Sequence, residues 1–354
     1  MSSDILPEAE AARKALGDAL YAYLIGAADD RVGPNDRNAA EFARYALMPS
    51  LLSGAGQTDL SVSFGGRELA APLVVGAFAA DRIFHEEGLR PVARVCQRLG
   101  LALIASEETV TPLEAVTALN PATWLQLRAA GDFERIGRIV EGAKAQGVAG
   151  IVITLLAPTH PRPVLRPGGY DVGAELRRRG WSTIGTQLDG SNIAGPAPLP
   201  AWPRWGLADV SALARLCEGL GLPLVLKGVL NPDDAAQLVQ TGLAGQMVSN
   251  IGLRQSGRWV TPLTQLPKIA ARIPDATLML DGGIRQPADM IVASILGARL
   301  YVVSRPVLTA LAGGGEAAVE AWLMRMLDGL HAMLCWMGAA SLGDLGPEQL
   351  VGPG

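Results

Sequence analysis

The stretch Thr277-Leu278-Met279-Leu280-Asp281-Gly282-Gly283-Ile284-Arg285 decides the fold. Thr277 to Asp281 is a strand-sized, almost continuously apolar run that ends in small and charged residues; a segment of helical periodicity follows from Pro287 to Leu296, and a second apolar run spans Arg299 to Ser304. Strands this apolar are buried on both faces, as in a parallel sheet covered by helices. The same unit recurs upstream. Further strand-like runs are Pro72 to Phe78, Leu101 to Ala105, Thr123 to Leu127, Gly150 to Leu155, Pro223 to Gly228 and Gln246 to Asn250. The helical segments between them are Glu86 to Leu99, Pro112 to Ala118, Phe133 to Gln146, Asp209 to Leu220, Asp233 to Thr241 and Leu263 to Arg272. Eight βα units predict an α/β fold, a (β/α)8 or TIM barrel, in a single domain over 1–354.

Two regions depart from the repeat. Residues 1–65 read as an N-terminal helical extension, and Glu316 to Leu350 as a C-terminal helical cap. Between the fourth strand and the helix before the fifth, residues 156–205 are rich in Pro, Gly and Arg. A connection that long after a barrel strand is a candidate lid or a disordered loop, at the face where such barrels build their sites.

Composition narrows the partners. With 49% hydrophobic and 18% charged residues in 354, the chain has material for a large core and too little charge for disorder. A net charge of −4, with both signs interspersed, points away from nucleic acid and anionic membranes and toward a small-molecule partner. Cys96, Cys217 and Cys335 are far apart in apolar helical contexts and read as buried thiols. The acidic start (Asp4, Glu8, Glu10) lacks a signal peptide's pattern, so a soluble, cytoplasmic protein is expected.

The motifs Tyr23-Leu24-Ile25-Gly26-Ala27-Ala28-Asp29-Asp30, Val248-Ser249-Asn250-Ile251-Gly252-Leu253-Arg254-Gln255, Asp281-Gly282-Gly283-Ile284-Arg285 and Ser304-Arg305-Pro306 occur in this order along the chain. Together they resemble the FMN-dependent α-hydroxy acid oxidase and dehydrogenase family, the glycolate oxidase and lactate oxidase group. The resemblance implies FMN as cofactor. Loops after the last two barrel strands are a recurrent phosphate site, so Ser304, Arg305, Asp281, Gly283 and Arg285 match the family's phosphate end. Lys227 matches its lysine near the flavin N1 and O2 atoms, where a cation stabilises the reduced ring. Ser106, Gln126 and Thr154 match positions that bond the isoalloxazine, Ala77-Phe78-Ala79 the backbone lining the ring, and Ser249 the serine of the family's Ser-Asn-His strand end at the cofactor. Family members are commonly tetramers or larger, which implies a homo-oligomer.

On the substrate side the chain departs from that pattern. The family's catalytic histidine is Ile251 here, and the aspartate that orients it is Leu156. Its second tyrosine is Arg128, and its aromatic pocket residue is Glu108, preceded by Glu107. Tyr23 and Arg254 match the positions that contact the substrate carboxylate, so an acidic or zwitterionic substrate fits. Arg128 is either a second anion contact or a partner that pairs with Glu108 and closes the pocket. Of the three histidines, His85 and His331 read as structural, while His160 at the start of the long loop is, with Glu108, a candidate replacement acid or base.

Isoleucine accepts no proton, and general-base catalysis is typically worth about 10²- to 10⁴-fold. Ordinary 2-hydroxy acid oxidation is therefore disfavoured. The residues favour an FMN oxidoreductase acting on an amine, an amino-acid-like molecule or an acidic carbon. The alternatives are an FMN enzyme of non-redox, oxygenating or decarboxylating type, and a catalytically inactive flavin-binding homologue.

Overall fold

The computed structural model describes residues 7–26, 36–53, 56–129, 132–156, 169–198 and 205–352. Eight parallel strands close into a barrel: β1 (Leu73–Val75), β2 (Ala102–Ser106), β3 (Thr123–Arg128), β4 (Gly150–Thr154), β5 (Leu224–Val229), β6 (Gly245–Ser249), β7 (Leu278–Asp281) and β8 (Leu300–Val303). Each strand pairs with its sequence neighbours, and β8 returns to β1. The expected strands are all present, within a few residues. The largest difference is β1, expected to reach Phe78 and ending at Val75, where the chain turns into the extended segment that lines the cavity.

Alternate residues divide two cores. Val74, Ile104, Trp124, Val152, Val225, Met247, Met279 and Val302 fill the barrel interior. Leu73, Leu103, Leu125, Ile151, Leu224, Val248 and Tyr301 face the surrounding helices. The hairpin Val62–Phe64 with Arg67–Leu69 plugs the lower end of the barrel, its Phe64 ring stacked 4.9 Å from Trp124. The extension over 1–65 is thus not all helical. It also carries Ala46–Leu47, which pairs antiparallel with Leu350–Val351 and ties the two ends of the chain together.

The C-terminal cap begins earlier than expected. A helix starts directly after β8 and runs Arg305–Met337, broken by non-helical geometry at Gly314 and Gly315. The helix Pro7–Ile25 lies along it. A Cβ on Gly313 would come within 2.6 Å of the Glu8 carbonyl, so glycine there permits the contact. Cys96 and Cys217 are buried, as expected, and burial pushes both thiols up to about 12. Cys335 is exposed, contrary to expectation: Leu334 and Met337 take the inward positions of that turn and leave Cys335 on the outer face. No described helix is long and apolar enough to cross a membrane.

Within the long fourth connection, residues 169–198 are among those described. They form helices Val172–Arg179 and Ile184–Leu188, and a bridge pairs Ser182, between the helices, with Gly195 beyond the second. The docking is through main chain, with Ile184 N donating to Thr109 O at 2.9 Å and Gly185 N to Glu107 O at 2.8 Å. Trp181 is flanked by the guanidinium groups of Arg82, 4.8 Å away, and Arg179, 4.7 Å away, which fasten the segment to the turn after β1. His160 lies outside the described residues, so its candidacy as an acid or base stays an expectation.

Candidate active site

The upper ends of the strands converge on a cavity of about 400 Å³, within the range of small-molecule and cofactor sites. Ala77, Phe78, Ala79, Ser106, Glu108, Gln126, Arg128, Thr154, Lys227, Ile251, Arg254, Asp281, Gly283, Arg285, Ser304, Arg305 and Tyr23 all line it. Asp171, Val172, Gly173, Leu176 and Arg177 of the fourth connection line it as well, so this segment sits over the cavity as a lid would.

One wall is a ladder across three adjacent strands. Ser106 Oγ donates to Gln126 Oε1 at 3.2 Å, and Gln126 Nε2 donates to Thr154 Oγ1 at 3.0 Å. The register places Ser106 beside Gln126 and Arg128 beside Thr154. Next in the ring, Lys227 Nζ meets Asp281 Oδ2 at 2.7 Å, and Ser249 Oγ donates to the same oxygen at 2.6 Å. A lysine near the upper end of a barrel strand is therefore compensated by a protein carboxylate. Ser249 Oγ also accepts from Ile251 N at 3.0 Å, fixing the turn in which Ile251 sits.

A basic pole lies at the ends of β7 and β8. Arg285 pairs with Asp36, whose carboxylate is also 3.9 Å from Arg305. Burial works to raise the Asp36 pKa, but Arg285 and Arg305 outweigh it and hold the carboxyl below its ordinary value. Asp36 was not singled out in the sequence. Its signal was its place as N-cap of the helix Arg37–Phe42, accepting from Ala39 N at 3.3 Å. Beside it, Asn38 and Asn250 exchange amide hydrogen bonds of 2.8 Å and lock that helix to the end of β6.

Arg254 and Arg305 also complete the helix Pro7–Ile25, whose last turn carries no basic residue of its own. Arg254 donates to the carbonyls of Tyr23 and Leu24, the latter at 2.9 Å, and its guanidinium lies 4.7 Å from the Tyr23 ring. Arg305 donates to Ile25 O at 3.3 Å and to Gly252 O. These bonds answer carbonyls that a helix C-terminus leaves without internal partners. Burial lowers the pKa of Arg254 and, with Arg254 alongside, brings Arg305 down to about 10. The sequence expectation placed Tyr23 and Arg254 on a substrate carboxylate. Both do border the cavity, but two Arg254 donors are directed at the main chain, a direction no motif records.

Of the two readings left open for Arg128, the structure shows the pair with Glu108, Nη2 to Oε1 at 2.6 Å. Glu107 reinforces it from behind: its Oε1 accepts from Arg128 N at 2.8 Å and from Nε at 3.5 Å. Among the described residues no histidine lines the cavity. His85 Nδ1 accepts from Glu87 N at 3.3 Å, and His331 Nδ1 lies 2.6 Å from Thr58 Oγ1.

Comparison with known proteins agrees with this geometry. Residues 12–352 match the family model for FMN-dependent dehydrogenases. The human 2-hydroxyacid oxidase 1 is 32% identical over 321 residues, covering 87% of this chain and 85% of its own. The pre-mycofactocin synthase of Mycobacterium tuberculosis is 28% identical, with 97% and 92% covered. A mandelate oxidase variant solved with (S)-mandelic acid superposes with a TM-score of 0.81 at 26% identity, covering 98% of this chain and 97% of that one. A barrel with this cavity, matched along nearly its whole length, places the chain in the FMN-dependent dehydrogenase family, as an oxidoreductase that uses FMN.

Proposed function

We propose that this enzyme oxidises an amine, an amino-acid-like molecule or an acidic carbon, at a substrate site that lacks the family's histidine base. The observation that carries the reading is Ile251 on the cavity wall, in the same cavity as the Arg128–Glu108 pair. An isoleucine offers no proton acceptor, while a carboxylate and a guanidinium now stand among the lining residues.

The donor set suits FMN. The Ser106–Gln126–Thr154 ladder offers neutral hydroxyl and amide groups to the polar edge of a flat heteroaromatic ring, and Lys227 supplies the cation at that edge. Ala77, Phe78 and Ala79 would line the ring, with Ser249 and Asp281 holding Lys227 in place. Arg285, Arg305, Gly283 and Ser304 would receive the phosphate. FMN, when bound, accepts hydride from the substrate carbon.

The remaining steps belong to the chain and the substrate. An alcohol must release a proton of high pKa as its hydride leaves, and Ile251 cannot take it. A neutral amine needs no such base, because its nitrogen lone pair drives hydride loss and the carbon is left as an iminium. In this reading Glu108 faces the developing cation, and Tyr23 and Arg254 border the acidic end of the ligand. His160 and Glu108 are the candidate proton carriers, and the segment 169–198 closes over the cavity to exclude water. Assembly into a homo-oligomer belongs to the same proposal, supported by the exposed Leu51, Leu52 and Trp336 side chains; light scattering of the purified protein tests it.

The decisive experiment mixes the FMN-loaded protein anaerobically with a panel of amines and amino acids. Bleaching of the flavin visible band is expected for members of that panel, ahead of glycolate and lactate. Unchanged colour across the whole panel would sink the reading.

A further inference from the structure

Asp36 borders the cavity at its basic pole, paired with Arg285 and 3.9 Å from Arg305, the two arginines proposed to receive the phosphate. The carboxylate is pinned there. It accepts the N-cap bond from Ala39 N, and the Asp36 main-chain carbonyl accepts from Ala40 N at 2.9 Å. The capped helix Arg37–Phe42 lies directly on the turn after β7: a Cβ on Gly283 would fall 2.3 Å from the Asn38 carbonyl oxygen, and one on Gly282 would fall 2.9 Å from the Asn38 amide nitrogen. To leave the arginines, Asp36 would have to break its cap while the helix stays docked. Among the described residues, the other charges nearby are answered elsewhere. Arg254, beside Arg305, donates to the Tyr23 and Leu24 carbonyls; Asp281 meets Lys227; Asp289 accepts from the backbone N–H groups of Arg285 and Gln286; and Arg37 turns to the Gly257 carbonyl. Lys227 offsets Asp281 and Arg254 offsets Asp289, so the pole keeps two guanidinium groups against one carboxylate.

A phosphate ester carries close to two negative charges above about pH 6. Beside Asp36, on the same two arginines, it would make two anions at one site, and such pairs hold a proton between them. We infer that Asp36 is a cofactor-contacting residue that accepts a hydrogen bond from a protonated oxygen of the FMN phosphate, so that the protein takes FMN with its phosphate as a monoanion. The inference rests on the phosphate placement proposed above and extends it. The proton comes from solvent. It resides on the phosphate, because Arg285 and Arg305 hold the Asp36 carboxyl below its ordinary value while the second ionisation of the phosphate lies higher. An O–H donor to a carboxylate makes one of the stronger hydrogen bonds, and Arg285 and Arg305 keep their carboxylate partner while they bind the phosphate. Above about pH 6 the monoanion is a shrinking fraction of free FMN, so affinity falls about tenfold per pH unit; a site that took the dianion would hold its affinity level there. Asp36 thereby ties cofactor retention to pH, with FMN held tightest on the acid side of neutrality.

The test is equilibrium dialysis of the full-length protein against FMN or riboflavin between about pH 6.5 and 8.5. In the native protein the FMN Kd should rise about tenfold per pH unit, while the riboflavin Kd stays level. Asp36→Asn keeps a good N-cap residue and removes the charge. Its FMN Kd should be level over that range and at least about tenfold below the native value at the alkaline end. Calorimetry in two buffers of unlike ionisation heat needs no variant: near neutral pH the native protein should take up about one proton per FMN and none per riboflavin. Far-UV circular dichroism verifies folding of Asp36→Asn, and the proton uptake decides if that variant does not fold. A native FMN Kd that is level with pH, an absence of proton uptake, or a folded Asp36→Asn with the native slope would each overturn the inference. Arg285→Gln separates it from the phosphate placement, which expects FMN to weaken at least about tenfold with riboflavin unchanged. An unchanged FMN-to-riboflavin ratio in Arg285→Gln would sink the placement and this inference together. A reduced ratio there, with the native slope retained in Asp36→Asn, would sink this inference alone. No amine enters these measurements, so the C–N reading stands or falls separately by flavin bleaching.

Discussion

Ile251 has a backbone that does not suit it. Its φ is +54°, followed by Gly252 at +60° and Leu253 at +61°, so the turn after β6 is left-handed over three residues. Glycine, asparagine and histidine visit this region far more readily than a β-branched side chain, for which it stores strain on the order of 1–3 kcal/mol. The turn persists because Ser249 Oγ accepts from Ile251 N, Asn250 O accepts from Leu253 N, and Arg305 donates to Gly252 O. Ile251→His should therefore be accommodated without loss of fold. On lactate or glycolate, Ile251→His should gain measurable but low oxidase activity, and Ile251→His with Leu156→Asp should exceed the sum of the single variants, as an oriented base requires. Stopped-flow flavin reduction checks both. Lys227 invites a second substitution. With Lys227 and Asp281 both buried, Lys227→Met strands the carboxylate and should cost about 3–5 kcal/mol, whereas Lys227→Met with Asp281→Leu should recover part of it, measured by denaturant unfolding.

The helix Val172–Arg179 carries a charge cluster, and acid should loosen it. Glu175 accepts from Arg178 at 2.6 and 2.9 Å and also from Arg179, hydrogen bonds that lower its pKa to about 2. A carboxyl depressed in the folded state lends stability that is fully present above its ordinary value of 4.5 and disappears as pH falls through the folded value. Amide exchange in Val172–Arg179 should accordingly quicken between about pH 4.5 and 2, before the barrel strands respond. Glu175→Gln should remove that pH dependence.

The strands could be read from the sequence because burial on both faces leaves little freedom of composition: Gly150–Thr154 and Leu300–Val303 are apolar at almost every position. The helices of the fourth connection could not. They are eight and five residues long; the first is rich in arginine, and the second is fixed by main-chain bonds to Thr109 and Glu107, which no local pattern encodes. Much of the cavity's lining was likewise readable, since Ser106, Gln126, Thr154, Lys227 and Asp281 follow one another along the strands, whereas Ser249, also expected there, lies behind the lining and bonds Asp281. What the side chains do there was not. Arg254 turning to the Tyr23 and Leu24 carbonyls depends on where the first helix ends, over two hundred residues away in sequence. Cys335 was misplaced because a single residue's side of a helix depends on the phase of its neighbours.

The molecule as a whole is a barrel whose cofactor end is charged in advance and whose ends are clasped by Ala46–Leu47 and Leu350–Val351. A ligand that binds only the folded state stabilises it by mass action, so FMN at a hundred times its Kd should add about 2.7 kcal/mol. Calorimetry of the apo-protein with and without FMN should show the corresponding rise in Tm, and riboflavin, lacking the phosphate for Arg285 and Arg305, should raise it less.

At the opposite end of the barrel, Phe64 stacks on Trp124, and added methyl groups on Gly65 or Gly150 would strike the same indole at 2.6 and 2.4 Å. A floor this full leaves no passage along the barrel axis. Among the described residues, the upper cavity is then the route open to both the substrate and whatever reoxidises the cofactor. Traffic through one doorway is sequential: the first product departs, then the oxidant enters. Steady-state rates measured against both reactants should therefore fall on parallel double-reciprocal lines, the kinetic mark of a ping-pong order.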